Sequence, residues 1–319
     1  MTVQANPLKG IFFAAGGSVI LSVNDLAIKY LAGDYPLHEI ILFRAFIGMA
    51  LVLIVAGVSR AGLRQLITRR RGAQLARVCI VMVSNVTYFV GLSLMPLADA
   101  VATSFVAPLF VTLMSAVVLG EKVGPRRWAA VAMGMLGVVI MTNPGAGVIQ
   151  PAAILVLISA FCYAASHMMT RRMRETESAM ALNFYVQCGF ILVSVCFGLF
   201  AGDGHMAQAP GSTWEFLFRP WILPPFSDVW AFVATGCAVG IGGLMMSQAY
   251  RTSEAALIAP FEYIGMPMAI FWGVVVFGTV PGATAWAGIA LICGAGLYTL
   301  WRETVRKKDL DVAAPSGDI

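Results

Sequence analysis

The chain has 319 residues, 59% of them hydrophobic and 12% charged, with a mean hydropathy of +0.83, whereas soluble domains carry roughly 25% charge. So little polar surface cannot coat a water-soluble globule, which excludes a soluble fold and makes lipid the solvent. The net charge of +5 calls for no nucleic-acid partner, because the basic residues stand where membrane proteins place them for orientation, opposite anionic headgroups.

A bilayer core takes roughly 20 apolar helical residues, and on that ruler ten spans are predicted. The first five run over 10–31, 39–58, 73–95, 98–119 and 127–141; the second five run over 151–170, 179–200, 229–249, 255–277 and 282–300. Asp25 and Lys29 follow the apolar run of the first span with no small-residue cleavage site, so it reads as a retained helix. Pro96-Leu97 and Thr279-Val280-Pro281 are connections of a few residues, which force antiparallel hairpins. All but three of the 21 lysines and arginines fall at every second gap: Lys9; Arg60, Arg64, Arg69, Arg70, Arg71 and Arg77; Lys122, Arg126 and Arg127; Arg171, Arg172 and Arg174; Arg251; and Arg302, Arg306, Lys307 and Lys308. The exceptions are Arg219 in an outside loop and Lys29 and Arg44 within apolar stretches. This bias predicts a multi-pass protein of a bacterial inner membrane with both termini cytoplasmic.

The outside segment 201–228 combines Pro210, Pro220, Pro224 and Pro225 with Trp214, Phe216, Phe218, Trp221 and Phe226. Aromatics with prolines at this boundary predict either a piece lying in the interface, with a short helix capped by Ser212 or Thr213 and ending at Phe218, or a mobile loop. Residues 309–319 read as a disordered tail. The six cysteines are scattered through apolar segments without CxxC spacing and read as small packing residues.

The chain contains its own pattern twice. Leu119-Gly120-Glu121 precedes Pro125 and Trp128-Ala129-Ala130; Phe277-Gly278-Thr279 precedes Pro281 and Trp286-Ala287-Gly288. Asp25-x3-Lys29 finds a weaker echo in His167-x3-Arg171. Five spans per half is an odd number, so the second copy enters the membrane from the other side. The expected architecture is therefore all-α and integral to the membrane: ten transmembrane helices as two inverted five-helix repeats, 1–146 and 147–301, with a cytoplasmic tail over 302–319. Such inverted repeats serve alternating access around a midplane site.

The run Ser253-Glu254-Ala255-Ala256-Leu257-Ile258-Ala259-Pro260-Phe261-Glu262-Tyr263, followed by Pro267, Gly273 and Phe277-Gly278, resembles the ninth-span signature of EamA-type members of the drug/metabolite transporter superfamily. Leu119-Gly120-Glu121 resembles the matching first-half motif, and Asp25-x3-Lys29 with Pro36-x2-Glu39-x4-Arg44 resembles the family's first two spans. The resemblance implies a ten-helix fold and efflux of small metabolites, amino acids with aromatic members first. Exporters or exchangers of cationic drugs, nucleotide sugars or phosphorylated metabolites are the alternative cargo classes. Thr279 departs from the acidic residue usual after the second Phe-Gly.

Ionisable groups inside lipid cost about 2.5–3.5 kcal/mol each on insertion scales, so each marks a partner or a wet cavity. Asp25, Lys29 and Arg44 form either a gate that reads a substrate carboxylate, or an Asp25–Arg44 structural pair with Lys29 snorkelling to the interface. Glu262, between Pro260 and Pro267, and His167 are either charge-coupling groups or satisfied core residues. Asn85, Tyr88 and Phe89, Tyr163, Asn183, Tyr185 and Gln187, Gln248 and Trp272 supply amide and aromatic surface for an amphipathic guest; the mid-span Tyr88, Tyr163 and Gln187 are stronger candidates than Tyr30 or Tyr250. Ala130-x3-Gly134 and Ala290-x3-Gly294 read as helix-packing surfaces. No GxxxxGK[ST] loop, HExxH, GxSxG or metal-ligand cluster occurs, which argues against an ATP-driven pump, an enzyme or a bound cofactor. A channel is the rival from another class; its filter would need a polar ring or oligomeric symmetry. The expected partners are a small-molecule substrate and the bilayer, for a monomer or a dimer.

Overall fold

The structure, a computed structural model, describes residues 7–59, 62–107, 109–111, 113–114, 125–142, 151–173, 175–207, 214–252, 261–262 and 264–313. Regular structure among them is helical. In chain order the α-helices are α1 (Pro7–Leu31), α2 (Leu37–Val58), α3 (Arg71–Leu94), α4 (Leu97–Ser104), α5 (Pro125–Thr142), α6 (Pro151–Met173), α7 (Ala179–Ala201), α8 (Glu215–Phe218), α9 (Val229–Thr252), α10 (Gly265–Phe277) and α11 (Ala283–Ala313), with a 3-10 turn at Gly62–Leu66. Six of these, α1, α2, α3, α6, α7 and α9, are long and apolar enough to cross a membrane. Their outer faces carry exposed apolar side chains such as Phe12, Phe46, Ile54, Leu192 and Leu199, the surface lipid requires.

Helix boundaries follow the chemistry of the ends. Pro36 and Pro96, which disfavour a helical residue before them, stand immediately before α2 and α4. Gly278 ends α10 in the left-handed region at φ 63°, a conformation glycine adopts without strain. Ser178 caps α7 by accepting from Ala181 N–H. One expectation is corrected: α11 runs on through Ala313, so residues 302–313 continue a helix where 309–313 were expected to be disordered. The Leu119-Gly120-Glu121 and Ser253–Pro260 parts of the repeated motifs lie outside the described residues.

The helices pack in pairs. α1 lies against α9, α3 against α6, α5 against α11, and α2 against both α7 and α9; α4 meets α6 and α10, and α10 meets α1. Small residues allow these approaches. A β-carbon on Gly236 of α9 would stand 2.4 Å from Ile47 Cβ of α2, and one on Gly137 of α5 would stand 2.9 Å from Ile292 and Leu291 of α11. The α5–α11 contact thus uses Gly134 and Gly137 against Gly288, Ile292 and Ala295, whereas Ala290 and Gly294 face outward. That corrects the expected Ala290-x3-Gly294 packing surface: residues 288, 292 and 295 follow the i, i+4, i+7 rhythm of the buried stripe, and 290 lies off it.

Each end of the bundle is tied across the chain. At one end the strap between α7 and α9 closes on the α1–α2 hairpin. Tyr35 Oη donates to Asp228 Oδ2 at 2.7 Å, Ile222 N–H donates to Glu39 Oε2 at 3.2 Å, and Arg219 donates to the carbonyls of Ala32 and Gly33 at 3.1 and 2.6 Å. Trp221 stacks on His38 with centroids 5.7 Å apart. Burial and the neighbouring Asp228 carboxylate push the Tyr35 phenol above its ordinary range, so it remains a donor. The short helix expected to end at Phe218 is present as α8; its Ser212 or Thr213 cap lies outside the described residues. Phe216 is buried under the strap while Leu223 and Phe226 face out. At the other end Arg69 and Arg70 N–H donate to Glu177 Oε1 at 2.9 and 3.2 Å, and Ser178 Oγ donates to Gln65 O at 2.7 Å.

Candidate functional site

A cavity of about 310 Å³ lies between the helices, walled by α1, α2, α3, α4, α6, α7, α9 and α10. Three of the helices contribute stripes at helical spacing: Ser18, Ser22 and Asp25 on α1, Arg77, Val81, Ser84 and Tyr88 on α3, and Asn183, Val186 and Phe190 on α7. Polar residues that lipid would penalise are thereby turned onto one shared interior surface.

One side of the cavity is built on Arg44, which is 1% exposed. Its guanidinium donates to Asn24 Oδ1 at 3.4 Å and Asn85 Oδ1 at 3.1 Å, and sits 5.2 and 5.0 Å from the ring centroids of Phe89 and Phe190. Asp25 accepts from Tyr88 Oη at 3.0 Å and Asn24 Nδ2 at 3.1 Å. Asn24 therefore stands between the acid and the base, and Asp25 and Arg44 form no direct ion pair. Arg44 Nε is buried without a hydrogen-bond partner. The cation is held by amides and π-faces, an arrangement a carbonyl or carboxylate can enter.

The other side is built on Glu262, which is 9% exposed. Its two oxygens accept from Tyr250 Oη and, at 3.2 Å, from Tyr163 Oη. His167 lies between those two rings, each centroid 4.2 Å from its own, and its Nδ1 is buried without a partner. Here α6, α9 and the segment leading into α10 converge on one carboxylate.

Asp25, Arg44, Asn85, Tyr88, Tyr163, His167 and Glu262 all line the cavity. Five other expected site residues do not, Tyr185 among them. Lys29 is four residues beyond Asp25, yet its ammonium donates to the carbonyls of Leu92, Ser93 and Met95 at 2.7, 3.3 and 2.7 Å, closing the C-terminal end of α3 where a cation is favoured. Gln187 is fully buried against Gly48 of α2, because the cavity face of α7 passes through 183, 186 and 190. Gln248 turns off the cavity face of α9 and accepts from Arg251 at 3.3 Å. Trp272 donates from Nε1 to Ser22 Oγ at 3.2 Å and so supports the wall from behind.

Two residues belong to the site that the sequence set aside. Tyr250, read as a weak candidate, is 4% exposed and bonded to Glu262. Arg77, assigned to the orientation charges, lies on the wall. A signal for Arg77 exists: it is eleven residues before Tyr88, three turns along the same face of α3. Phe190 offers no comparable signal, since apolar residues surround α7 on all sides.

A multi-pass helical bundle that encloses a polar cavity with buried ionisable groups of both signs has the architecture of a membrane transport protein. Comparison with known proteins makes this specific: the EamA-like transporter family matches residues 8–143 and again 150–301, and the chain belongs to that family. It is 27% identical to a riboflavin transporter of Rhizobium johnstonii over 82% of this chain and 80% of the relative, and 26% identical to the pseudopaline exporter CntI of Pseudomonas aeruginosa over 89% and 93%. A solved crystal structure shares the fold, with a TM-score of 0.65 at 21% identity over 92% of this chain and 96% of its own. The protein is thus a transporter of small metabolites.

Proposed function

We propose that the chain works by alternating access, as two inverted five-helix repeats, 1–146 and 147–301, around the cavity, with both termini cytoplasmic. The pairing of helices supports this. Exchanging α1 to α5 with α6, α7, α9, α10 and α11 turns α1–α9 into α6–α3 and α1–α10 into α6–α4, and maps α2–α7, α4–α10 and α5–α11 onto themselves. The same exchange turns the strap on the α1–α2 hairpin into the α6–α7 turn on the α2–α3 loop, which are the two ties at the ends of the bundle. Two equivalent closures at opposite ends are what a carrier opening alternately requires.

The cargo is a small metabolite that joins a planar ring to carbonyl or carboxylate acceptors. The observation that carries this reading is Arg44: a buried guanidinium between Phe89 and Phe190, facing the cavity with no acid bonded to it. Aromatic amino acids fit it, and so does the ring system of riboflavin, the solute named for one relative. Glu262, with His167 beside it, serves charge coupling or receives a substrate ammonium. Counterflow into proteoliposomes with a panel of riboflavin, aromatic and aliphatic amino acids, amines and sugar phosphates tests the reading. Saturable exchange confined to ring-bearing members supports it; equal flux of aliphatic solutes refutes the ring, and non-saturable flux refutes the carrier in favour of a channel.

A further inference from the structure

The cations of this fold are satisfied in two ways. Lys29 gives its ammonium to three backbone carbonyls, which is how a structural cation is retired. Arg77 is different. It is 7% exposed and on the cavity wall, where Nε donates to Thr170 Oγ1 at 2.8 Å and Nη1 to Leu182 O at 3.0 Å. Both acceptors are neutral, Nη2 has no bonded acceptor and no carboxylate pairs with the guanidinium among the described residues. Tying α3 to α6 and α7 explains two of its nitrogens and leaves a full charge facing the cavity. A buried cation without its counter-charge is costly, and an anionic guest would supply one.

Arg77 and Arg44 meet the wall at different heights along α3. Asn85, which receives Arg44 Nη2, is eight residues beyond Arg77, or about 12 Å along the helix axis. Val81 and Ser84 line the wall between them. We propose that Arg77 is a substrate-reading residue: the cavity takes an elongated solute whose ring and carbonyl end lies at Arg44 and whose far end, roughly 12 Å away, carries an oxyanion, carboxylate or phosphate, seated on Arg77. The inference rests on the cavity being the transport site for a ring-bearing cargo.

Two matched pairs of probes test it on the purified full-length protein in lipid nanodiscs. Riboflavin and riboflavin 5′-phosphate differ by a phosphate; the amide and the free acid of a flavin bearing a 5-carboxypentyl chain on its ring nitrogen differ by a carboxylate. The acidic member of at least one pair is expected to bind roughly tenfold tighter or more, the gain of one charge-assisted hydrogen bond, and the pair that shows it tells phosphate from carboxylate. Arg77→Gln is expected to erase that ratio, while Arg77→Lys keeps part of it. Equal binding within both pairs, or a ratio untouched in Arg77→Gln, overturns the proposal. Should the Gln variant not fold, wild-type protein decides: excess inorganic phosphate must weaken riboflavin 5′-phosphate more than riboflavin, and an equal effect on both overturns it. Failure of all four probes to bind wild type removes the ring-bearing cargo and this inference together; binding that ignores Arg77 removes this inference alone.

Discussion

Asp25 and Glu262 each receive hydrogen bonds from tyrosine hydroxyls, and Arg44 lies on two amides and two rings. None of these ions is neutralised by an ion-pair partner within the described residues, so each is free to respond to a guest. Arg44→Gln is expected to lower counterflow at least tenfold, and Arg44→Lys to recover little of it, because an ammonium cannot span both amides or stack as a planar fork does; transport near wild type in either variant removes Arg44 from recognition. Glu262→Gln keeps the shape and deletes the charge. If Glu262 couples charge to transport, the variant loses the pH dependence of counterflow; unchanged rate and pH profile would leave it a structural hub for Tyr163 and Tyr250. The residue types were legible because ionisable and amide groups are rare in apolar spans. Their partners were not: the four-residue spacing of Asp25 and Lys29 fits a pair on one helix face, but the carbonyls at the end of α3 lie closer to the lysine than sequence can reveal.

Glycines set how closely the elements approach. Gly236 and Gly240 let α9 settle on Ile47 and Leu51 of α2. A methyl at Gly236 meets the branched Cβ of Ile47, which cannot swing aside, so Gly236→Ala is expected to cost about 1–3 kcal/mol and to lower the thermal midpoint in detergent by several degrees. Gly294→Ala has open space and higher helix propensity, and is expected to be neutral or slightly stabilising in the same assay. Equal midpoints for the two variants would contradict the packing described. Span lengths and hairpins follow from hydropathy and from Pro96 and Pro281, yet the stripe each helix turns inward depends on its rotation. A one-residue error in phase is enough to exchange Val186 for Gln187, and a two-residue error exchanges Gly288 for Ala290.

Under the proposed alternating access, the two end ties couple the cavity to opening at either side. Glu39→Gln with Tyr35→Phe weakens the strap end, whereas Glu177→Gln weakens the other. With alternating access, the first is expected to raise labelling of cavity cysteines introduced at Ser22 or Ser84 from the strap side, and the second from the opposite side; identical labelling in both variants would argue against opposed gates. Reporter fusions at the two termini are expected to be cytoplasmic, with Arg219 on the far side of the membrane.

Composition alone determined that this protein lives in lipid, because too few polar residues remain to face water; charge bias and hydropathy further specified spans and an expected orientation. Motifs repeated along the chain carried the resemblance to its family. Tertiary structure decided which buried polar groups meet: that Asn24 stands between Asp25 and Arg44, that Tyr250 joins Glu262, that Lys29 is retired onto α3 and that Arg77 faces the cavity. In an apolar helix the hydrophobic signal is nearly uniform around the axis, so the face that turns inward is fixed by packing against other helices, and only their assembled arrangement reveals it.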